Sequence, residues 1–329
     1  MKEPRVSSVW QRAGATIFMA MFLWAGGIPF SACAGIQSGS QTSEAHYSGK
    51  QGQIIVIKVP TDEASAHVQG KFLGRAVSFF QETRQGEPKG FVGLLGIDMQ
   101  EEPGTHELAI QITDGQHGRS LSYRVLVLKE QFRVEHLKLP KDKVDLDPQG
   151  LARWKGEQEQ VKAALAADSP MKLWQPSFVE PVSGKRTGIF GSVRIMNGQA
   201  RNPHNGEDIG APLGTDVAAT NDGIVRLTVD HIFSGKGVFL DHGLGFYSMY
   251  FHLSDVLVKE GDLVRAGQIV GKVGATGRAT GPHLHWGVKL NGARVNPYAL
   301  LDLPFKAEPQ SPTVTPPAEP GSAAGAPAP

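Results

Sequence analysis

The chain has 329 residues, of which 33 are basic and 32 acidic, and a formal net charge of +1. This balance argues against nucleic-acid binding, because nucleic-acid-binding domains concentrate positive charge on one surface. Hydrophobic residues make up 40 % of the chain and charged residues 20 %, as in a soluble protein with hydrophobic cores. The length favours two domains with appended segments, and the 40 glycines and 22 prolines indicate turn-rich β structure.

Residues 1–34 have the pattern of an export signal. Three basic residues come first, Lys2, Arg5 and Arg12. Residues 13–24 are almost wholly apolar, and glycine and proline then interrupt the run before a group of small residues. An uncleaved membrane anchor is less favoured, because this run is shorter than the roughly 20 residues that a spanning helix needs. We therefore expect an exported protein of the periplasm or cell envelope.

The end of this segment has two interpretations. Ala32-Cys33-Ala34 fits a signal-peptidase site, which would release a soluble protein. Phe30-Ser31-Ala32-Cys33 instead resembles a lipobox, which would lipidate Cys33 and attach the protein to a membrane. Cys33 is the single cysteine, so we expect neither a disulfide nor a zinc site built on thiolates in the mature chain.

Residues 35–132 are predicted to be a linker followed by a β domain. Residues 35–50 are rich in serine, glycine, glutamine and threonine, as flexible linkers are. From residue 51 to 132, apolar and polar residues alternate in short runs separated by turn residues, which indicates a small sandwich of immunoglobulin-like type. Three histidines of this domain have polar neighbours and are expected at the surface, His67, His106 and His117.

Residues 133–172 are predicted to be a helical connector. Asp147 and Pro148 are residue types that begin helices, and Ser169-Pro170 would end one. Four apolar residues between them recur at spacings that share one helix face, Leu151, Trp154, Val161 and Leu165. We expect this helix to be a strut packed on a neighbouring domain.

Residues 173–305 return to a β pattern. Strands are predicted at 224–229, 237–241, 246–252, 269–273 and 283–289. The connections are too short for crossover helices, so we expect a mostly antiparallel sheet. Residues 306–329 are mostly proline, alanine, glycine and serine and are predicted to be disordered. The fold class is therefore mainly β, with an N-terminal immunoglobulin-like sandwich, a helical connector and a C-terminal antiparallel β domain.

Two segments of the C-terminal domain carry residues suited to a metal site. His283 and His285 are two apart, so in a strand both side chains lie on one face. Asn205-Gly206 is a strong turn signal, so His204 and Asp208 are expected to flank a tight turn. A catalytic zinc takes three nitrogen or oxygen ligands and leaves a fourth position for water. His204, Asp208 and His285 meet this requirement for one Zn²⁺ per chain, and His283 is left as a candidate base.

Three ordered blocks resemble the lysostaphin/LytM family of zinc endopeptidases. Residues 202–217 resemble the family's His-x-Gly-x-Asp block, and residues 246–253 its strand ending in Tyr-x-His-Leu. Residues 274–286 resemble its Gly-x-Thr-Gly…Thr-Gly-Pro-His-Leu-His signature. Phe190-Gly191 and Arg194 match the opening Phe-Gly-x-x-Arg. The N-terminal sandwich also resembles the accessory domain of some exported members.

The resemblance implies a role for five residues of this chain. His204, Asp208 and His285 would hold zinc, and His252 and His283 would be the catalytic pair. One histidine would take the proton of the attacking water and pass it to the leaving amine. The other would donate to the developing oxyanion or orient the water. His283 is the candidate base, although the sequence leaves the division of roles open.

For neighbouring residues, structural roles compete with functional ones. His242 is expected to fix a strand-end turn, and His231 is expected to be exposed. Tyr250 shares a predicted strand face with a catalytic-pair histidine, so that a site role and a packing role are both open. Arg194 and Asn197 either line the substrate groove or support the structure.

The function implied by the resemblance is hydrolysis of peptidoglycan peptide cross-links by an exported zinc endopeptidase. The D-alanyl–diaminopimelate link is one family substrate and glycine-rich bridges are the other. Two alternatives are a non-catalytic LytM-type activator of cell-wall amidases and a wall-binding module with a structural zinc. The complete set of five residues argues against the first, and an open fourth ligand position argues against the second. The N-terminal sandwich and the helix could restrain access to the zinc, with a regulatory protein as a further partner.

Overall fold

The computed structural model describes residues 40–61, 66–84, 87–113, 117–138, 146–167 and 169–305. The predicted export signal, with Cys33, and the predicted disordered tail at 306–329 lie outside these ranges. Within the described ranges, no helix combines the length and the apolar character needed to cross a bilayer.

The N-terminal part forms a seven-stranded sheet around one hydrophobic core. Its strands are β1 (Ser40–Lys50), β2 (Ile54–Val59), β3 (His67–Phe72), β4 (Arg75–Arg84), β5 (Glu87–Gly96), β6 (Gly104–Thr113) and β7 (Gly118–Leu128). Their order across the sheet is β1-β7-β6-β3-β4-β5-β2. Ile57 of β2, at one end of this order, and Tyr123 of β7, next to the other end, share the same core. The sheet therefore curves back on itself, and its immunoglobulin-like type stays a prediction.

The prediction of a flexible linker over residues 35–50 is wrong for Ser40–Lys50. β1 pairs in parallel with β7, with Tyr47 opposite Val125 and Lys50 opposite Leu128. The pairing depends on backbone N–H and C=O groups, which β7 offers at the edge of the sheet. Composition alone did not reveal it, because β1 has no alternating apolar pattern.

The predicted connector contains a short strand as well as a helix. β8 (Val134–Leu137) pairs in parallel with β10 (Val193–Met196), which also pairs with β11 (Gln199–Ala200). Four residues are too few for periodicity to reveal a strand before its partner is known. The chain therefore joins the C-terminal domain by strand pairing before the helix begins.

The helix expected at Asp147-Pro148 is α1, Pro148–Ala166. Asp147 is its N-cap and accepts a hydrogen bond of 2.6 Å from the backbone N–H of Gly150, which satisfies one of the free donors of the first turn. Val161 and Leu165 pack on a small apolar cluster of the C-terminal sheet. The helix therefore lies along one side of that sheet.

The C-terminal part is built on a ten-stranded sheet. Its strands are β9 (Lys185–Gly188), β12 (Gly206–Gly210), β13 (Asp216–Ala218), β14 (Gly223–His231), β15 (Gly235–Gly243), β16 (Phe246–Val256), β17 (Leu263–Val264), β18 (Ile269–Val273), β19 (Leu284–Leu290) and β20 (Ala293–Val295). The main path is β17-β14-β15-β16-β19-β12-β9. All of its strand pairs are antiparallel, which confirms the predicted sheet and its five strands. A 3₁₀ helix, Pro297–Leu300, follows β20.

The two sheets pack against each other within one compact unit. Leu94 of β5 belongs to the core of the C-terminal sheet, and Phe80 meets Trp174 edge to face with ring centroids 5.3 Å apart. Asp98 accepts hydrogen bonds from the guanidinium of Arg294, at 2.6 Å from Nη2. The N-terminal sheet thus contacts the C-terminal sheet through apolar packing and through an ion pair.

Candidate functional site

β12 and β19 bring two of the predicted metal ligands face to face. Asp208 and His285 are partners in the antiparallel register, and Oδ1 of Asp208 lies 2.9 Å from Nδ1 of His285. Nε2 of His204 lies 2.9 Å from both of these atoms. All three residues are buried, and their donor atoms could hold one metal ion.

The predicted tight turn at Asn205-Gly206 is wrong, because Gly206 already begins β12. A Cβ at Gly206 would lie 2.6 Å from Nε2 of His285, and a Cβ at Gly188 would lie 2.2 Å from Oδ2 of Asp208. Carbon atoms do not approach so closely. Both glycines therefore allow the backbone to approach the metal-site side chains, which is a use of glycine that turn statistics do not anticipate.

His204 points a nitrogen lone pair at the Asp208 carboxylate. Its Nδ1 lies 3.2 Å from the carbonyl oxygen of Ile189. A carbonyl only accepts, so Nδ1 carries the proton and Nε2 of the neutral ring is an acceptor. Two acceptors 2.9 Å apart need a cation or a further proton between them. Two imidazole nitrogens and a carboxylate oxygen are donors that zinc accepts, so these residues fit a zinc ion.

Arg194 holds the second oxygen of the Asp208 carboxylate. Its Nη2 lies 2.8 Å from Oδ2, while Oδ1 faces the histidines. Burial alone would raise the pKa of Asp208, but the contacts with His204 and His285 outweigh it and hold the pKa well below its usual range. The carboxylate is thus ionised and fixed in orientation. Arg194 also lines the groove that opens at the histidines, so it has both of the roles that the sequence left open. Asn197 lies in the β10–β11 turn, with φ +50°.

The predicted catalytic pair lies beside the three converging residues. Nε2 of His283 is 3.8 Å from Oδ1 of Asp208, and the rings of His252 and His283 are 4.7 Å apart. Nδ1 of His283 donates to the carbonyl of Gly281 at 2.9 Å, and Nδ1 of His252 to that of Thr276 at 2.8 Å. Each neutral ring therefore keeps its lone pair on Nε2.

His252 has a left-handed backbone, with φ +62°. Non-glycine residues adopt this conformation rarely, and strained residues of this kind cluster at turns and functional sites. The alternation of β16 is interrupted there, because the preceding Phe251 also reaches the site and stacks on the His285 ring at 5.7 Å. Tyr250 is instead buried in the core, so its role is packing. Burial, with the nearby rings of His285 and His283, lowers the pKa of His252 to about 3.

Two other histidines lie away from the converging donors. His242 is buried, donates from Nδ1 to the carbonyl of Asp222 at 2.6 Å, and accepts from Ser248 Oγ at 2.7 Å. This is the structural use that the sequence favoured. The prediction that His231 is exposed is wrong: it is 9 % exposed and lies 3.2 Å from the side chain of Gln160 in α1. The helix contributes to its burial, which a local sequence pattern cannot show.

A groove of about 320 Å³ opens at the histidines. Trp154 and Glu157 of α1 form one wall, and Phe233 and Arg278 contribute to another. Glu157 accepts hydrogen bonds from the backbone N–H of Ile232 at 3.1 and 3.2 Å, which ties the helix to the groove. The sequence interpretation missed Arg278, although it lies inside the Gly-x-Thr-Gly…His-Leu-His block. It expected α1 to be a strut that could also restrain access to the zinc.

Comparison with known proteins identifies the C-terminal domain. Residues 202–297 match the model of Peptidase family M23. Peptidoglycan DD-endopeptidase ShyA of Vibrio cholerae is 46 % identical over 94 residues, which are 29 % of this chain and 22 % of that protein. DD-carboxypeptidase/endopeptidase Mpg of Neisseria meningitidis is 42 % identical over 97 residues, 30 % of this chain and 22 % of that protein. The matched segment thus spans about a fifth of these curated relatives.

A solved structure extends the similarity beyond this segment. A Pseudomonas aeruginosa protein, described as a candidate M23 peptidase, is 31 % identical with a TM-score of 0.60, covering 76 % of this chain and 94 % of that one. The match is longer than residues 202–297 and therefore includes part of the chain outside them. The resemblance to the lysostaphin/LytM type is thereby confirmed, and the chain belongs to peptidase family M23.

Proposed function

We propose that the chain is an exported zinc endopeptidase that hydrolyses the peptide cross-links of peptidoglycan. The observation that carries this proposal is the convergence of His204, Asp208 and His285, with the rings of His252 and His283 beside them. Relatives named as peptidoglycan endopeptidases support the substrate. The pattern of residues 1–34 supports export.

Zinc, when bound, supplies Lewis acidity toward a peptide carbonyl and lowers the pKa of a water to about 7. His283 has an Nε2 lone pair 3.8 Å from Asp208 Oδ1, and this carboxylate would stabilise the imidazolium that forms when the ring takes a proton. His283 is therefore the general base, and it then donates the proton to the leaving amine. The one ring proton of His252 is on Nδ1, which donates it in a hydrogen bond to the carbonyl of Thr276. Its Nε2 therefore accepts a hydrogen bond from the attacking water and orients that water.

The D-alanyl–diaminopimelate cross-link is the bond that we favour over glycine-rich bridges. Two of the relatives are named for cleavage of DD bonds, ShyA and Mpg.

The test is incubation of the purified full chain with isolated sacculi, with and without a chelator, followed by mass analysis of the released fragments. We expect glycan strands that still carry their stem peptides, now without cross-links, in the zinc-loaded sample and none after chelation. His283→Ala is the matched control, since it removes the base and keeps three donors for the metal. A protein that releases nothing, but stimulates an added amidase, would instead be the non-catalytic activator.

A further inference from the structure

Arg278 is a cation in the groove, and no carboxylate of the described residues pairs with it. Its side chain is partly buried and lines the same groove as His204, His252 and His285. The guanidinium lies over the Phe233 ring, 4.2 Å from its centroid. Within the part of the chain that the structure describes, no carboxylate lies within ion-pair distance of this guanidinium and no acceptor is hydrogen-bonded to it.

The charges around Arg278 make this arrangement costly. Arg194 and Arg201 are close enough to repel it, and burial together with these two arginines lowers its pKa. The nearby carboxylates are already engaged: Asp208 binds Arg194, and Glu157 binds the backbone N–H of Ile232. Partial removal of a cation from water without a counterion is unfavourable. An anion supplied by a ligand would offset that cost.

The contact with Phe233 fixes the orientation of the guanidinium. When an aromatic ring covers the face of a guanidinium, the N–H groups at the guanidinium edge remain free to bind. Two of these N–H groups can donate in parallel to the two oxygens of a carboxylate. Arg278 follows Thr276 by two residues, and the carbonyl of Thr276 holds His252 at 2.8 Å. The loop that carries Arg278 therefore also orients a histidine of the candidate catalytic pair.

We propose that Arg278 binds a free carboxylate of the substrate next to the scissile amide. The inference rests on the proposed function and narrows its substrate class. In a D-alanyl–diaminopimelate bond, the carbon attached to the amide nitrogen also carries a carboxylate. A glycine-rich bridge has no charged group at that position. Arg278 is thus a specificity residue that selects acidic cross-links over neutral bridges.

The test compares two synthetic stem-peptide dimers, one with this carboxylate free and one with a carboxamide in its place. The zinc-loaded full chain should cleave the acid with a kcat/KM about 10- to 100-fold higher, the range expected for a charged hydrogen bond. Arg278→Gln should lose this preference and Arg278→Lys should keep part of it. Arg265→Gln is the matched control, because Arg265 is exposed and pairs with Asp222 at 3.1 Å; it should keep the preference in full.

Two results would overturn the inference while leaving the proposed function intact. One is equal cleavage of the acid and the amide by the unmodified chain. The other is a loss in Arg278→Gln that is the same for both dimers, since a structural role would affect both equally. If neither dimer is cleaved, the proposed function fails, and calorimetry of the same two dimers then tests the inference by itself. Tighter binding of the acid dimer by the unmodified chain, lost in Arg278→Gln, supports the inference. Equal affinities of the unmodified chain for the two dimers refute it.

Discussion

Asp208 and His285 are opposed across two antiparallel strands, with Oδ1 and Nδ1 2.9 Å apart. The register of β12 and β19 therefore sets this pair through backbone hydrogen bonds rather than through a loop. The second carboxylate oxygen is held by Arg194 at 2.8 Å, and the His204 ring by the carbonyl of Ile189 at 3.2 Å. Asp208 and His204 thus each have a partner outside the metal position, which is how metal sites are pre-organised.

The first prediction concerns His285→Ala. We expect the variant to lose the metal, because only one imidazole and one carboxylate remain, fewer than the three protein ligands of a catalytic zinc. Zinc content by atomic emission after dialysis against a metal-buffered solution measures this. His106→Ala, at a histidine of the N-terminal sheet, is the control and should keep one zinc. Stoichiometric zinc with full activity in His285→Ala would contradict the assignment of ligands.

His283→Ala should behave differently. Three donors remain, so zinc content should equal that of the unmodified chain. Turnover should fall by about 10²- to 10⁴-fold, the usual contribution of general acid–base catalysis. The measurement is kcat on a cross-linked muropeptide together with zinc content of the same sample. Equal loss of metal and activity would show that His283 is a ligand rather than the base.

Arg194→Gln tests the orientation of the carboxylate. We expect zinc affinity to fall by about 10- to 100-fold, as for other residues that hold a ligand in place, while kcat at saturating zinc stays near that of the unmodified chain. Competition with a fluorescent chelator gives the affinity. Arg226→Gln is a matched control, because Arg226 pairs with the buried Asp241 in the same sheet. It should lower stability and leave zinc affinity unchanged; equal affinity losses in both variants would rule out a specific role.

Much of this site could be predicted because its signals are local. The His-x-His spacing placed His283 and His285 on one face, and the five predicted segments correspond to five of the ten strands of the sheet. What could not be predicted depends on distant partners. β1 and β8 are strands because β7 and β10 offer them an edge, and His231 contacts Gln160 of α1, which is distant in the sequence. Gly206 was taken for a turn residue because a local pattern does not show the histidine ring that approaches it.

Acid should weaken the fold through His242, a histidine outside the metal site. Burial lowers its pKa from 6.5 to about 4, so between these values the unfolded chain binds a proton that the folded chain does not. The free energy of unfolding should therefore fall as the pH drops through this window, by up to about 3 kcal/mol at 1.36 kcal/mol per pH unit. Above pH 6.5 the contribution of His242 is constant.

Urea unfolding of the unmodified chain and of His242→Gln, both with chelator, isolates this residue, since the other histidines are common to both proteins. The variant should be less stable at pH 7, where the neutral ring holds Asp222 and Ser248, and the gap should shrink toward pH 4. A gap that stays constant over the whole range would show that His242 does not titrate with a lowered pKa.

The last prediction concerns α1 as a restraint on the polymer substrate. Trp154 and Glu157 of the helix line the groove. Glu157 accepts a hydrogen bond from the backbone N–H of Ile232, which attaches the helix to the groove. It also accepts one from Nε of Arg153, at 2.8 Å. Glu157→Ala removes charged hydrogen bonds worth about 1.5–3 kcal/mol, which shifts a closed-to-open equilibrium by about 10- to 100-fold. We expect faster release of fragments from sacculi and little change in the rate of cleavage of a short muropeptide, because only the polymer needs the open groove.

Glu159→Ala is the control for this prediction. Glu159 lies at an exposed position of the same helix and pairs with Lys162, so the variant should leave both rates unchanged. Unaltered sacculus turnover in Glu157→Ala, with the variant folded and zinc-loaded, would leave α1 with a packing role alone.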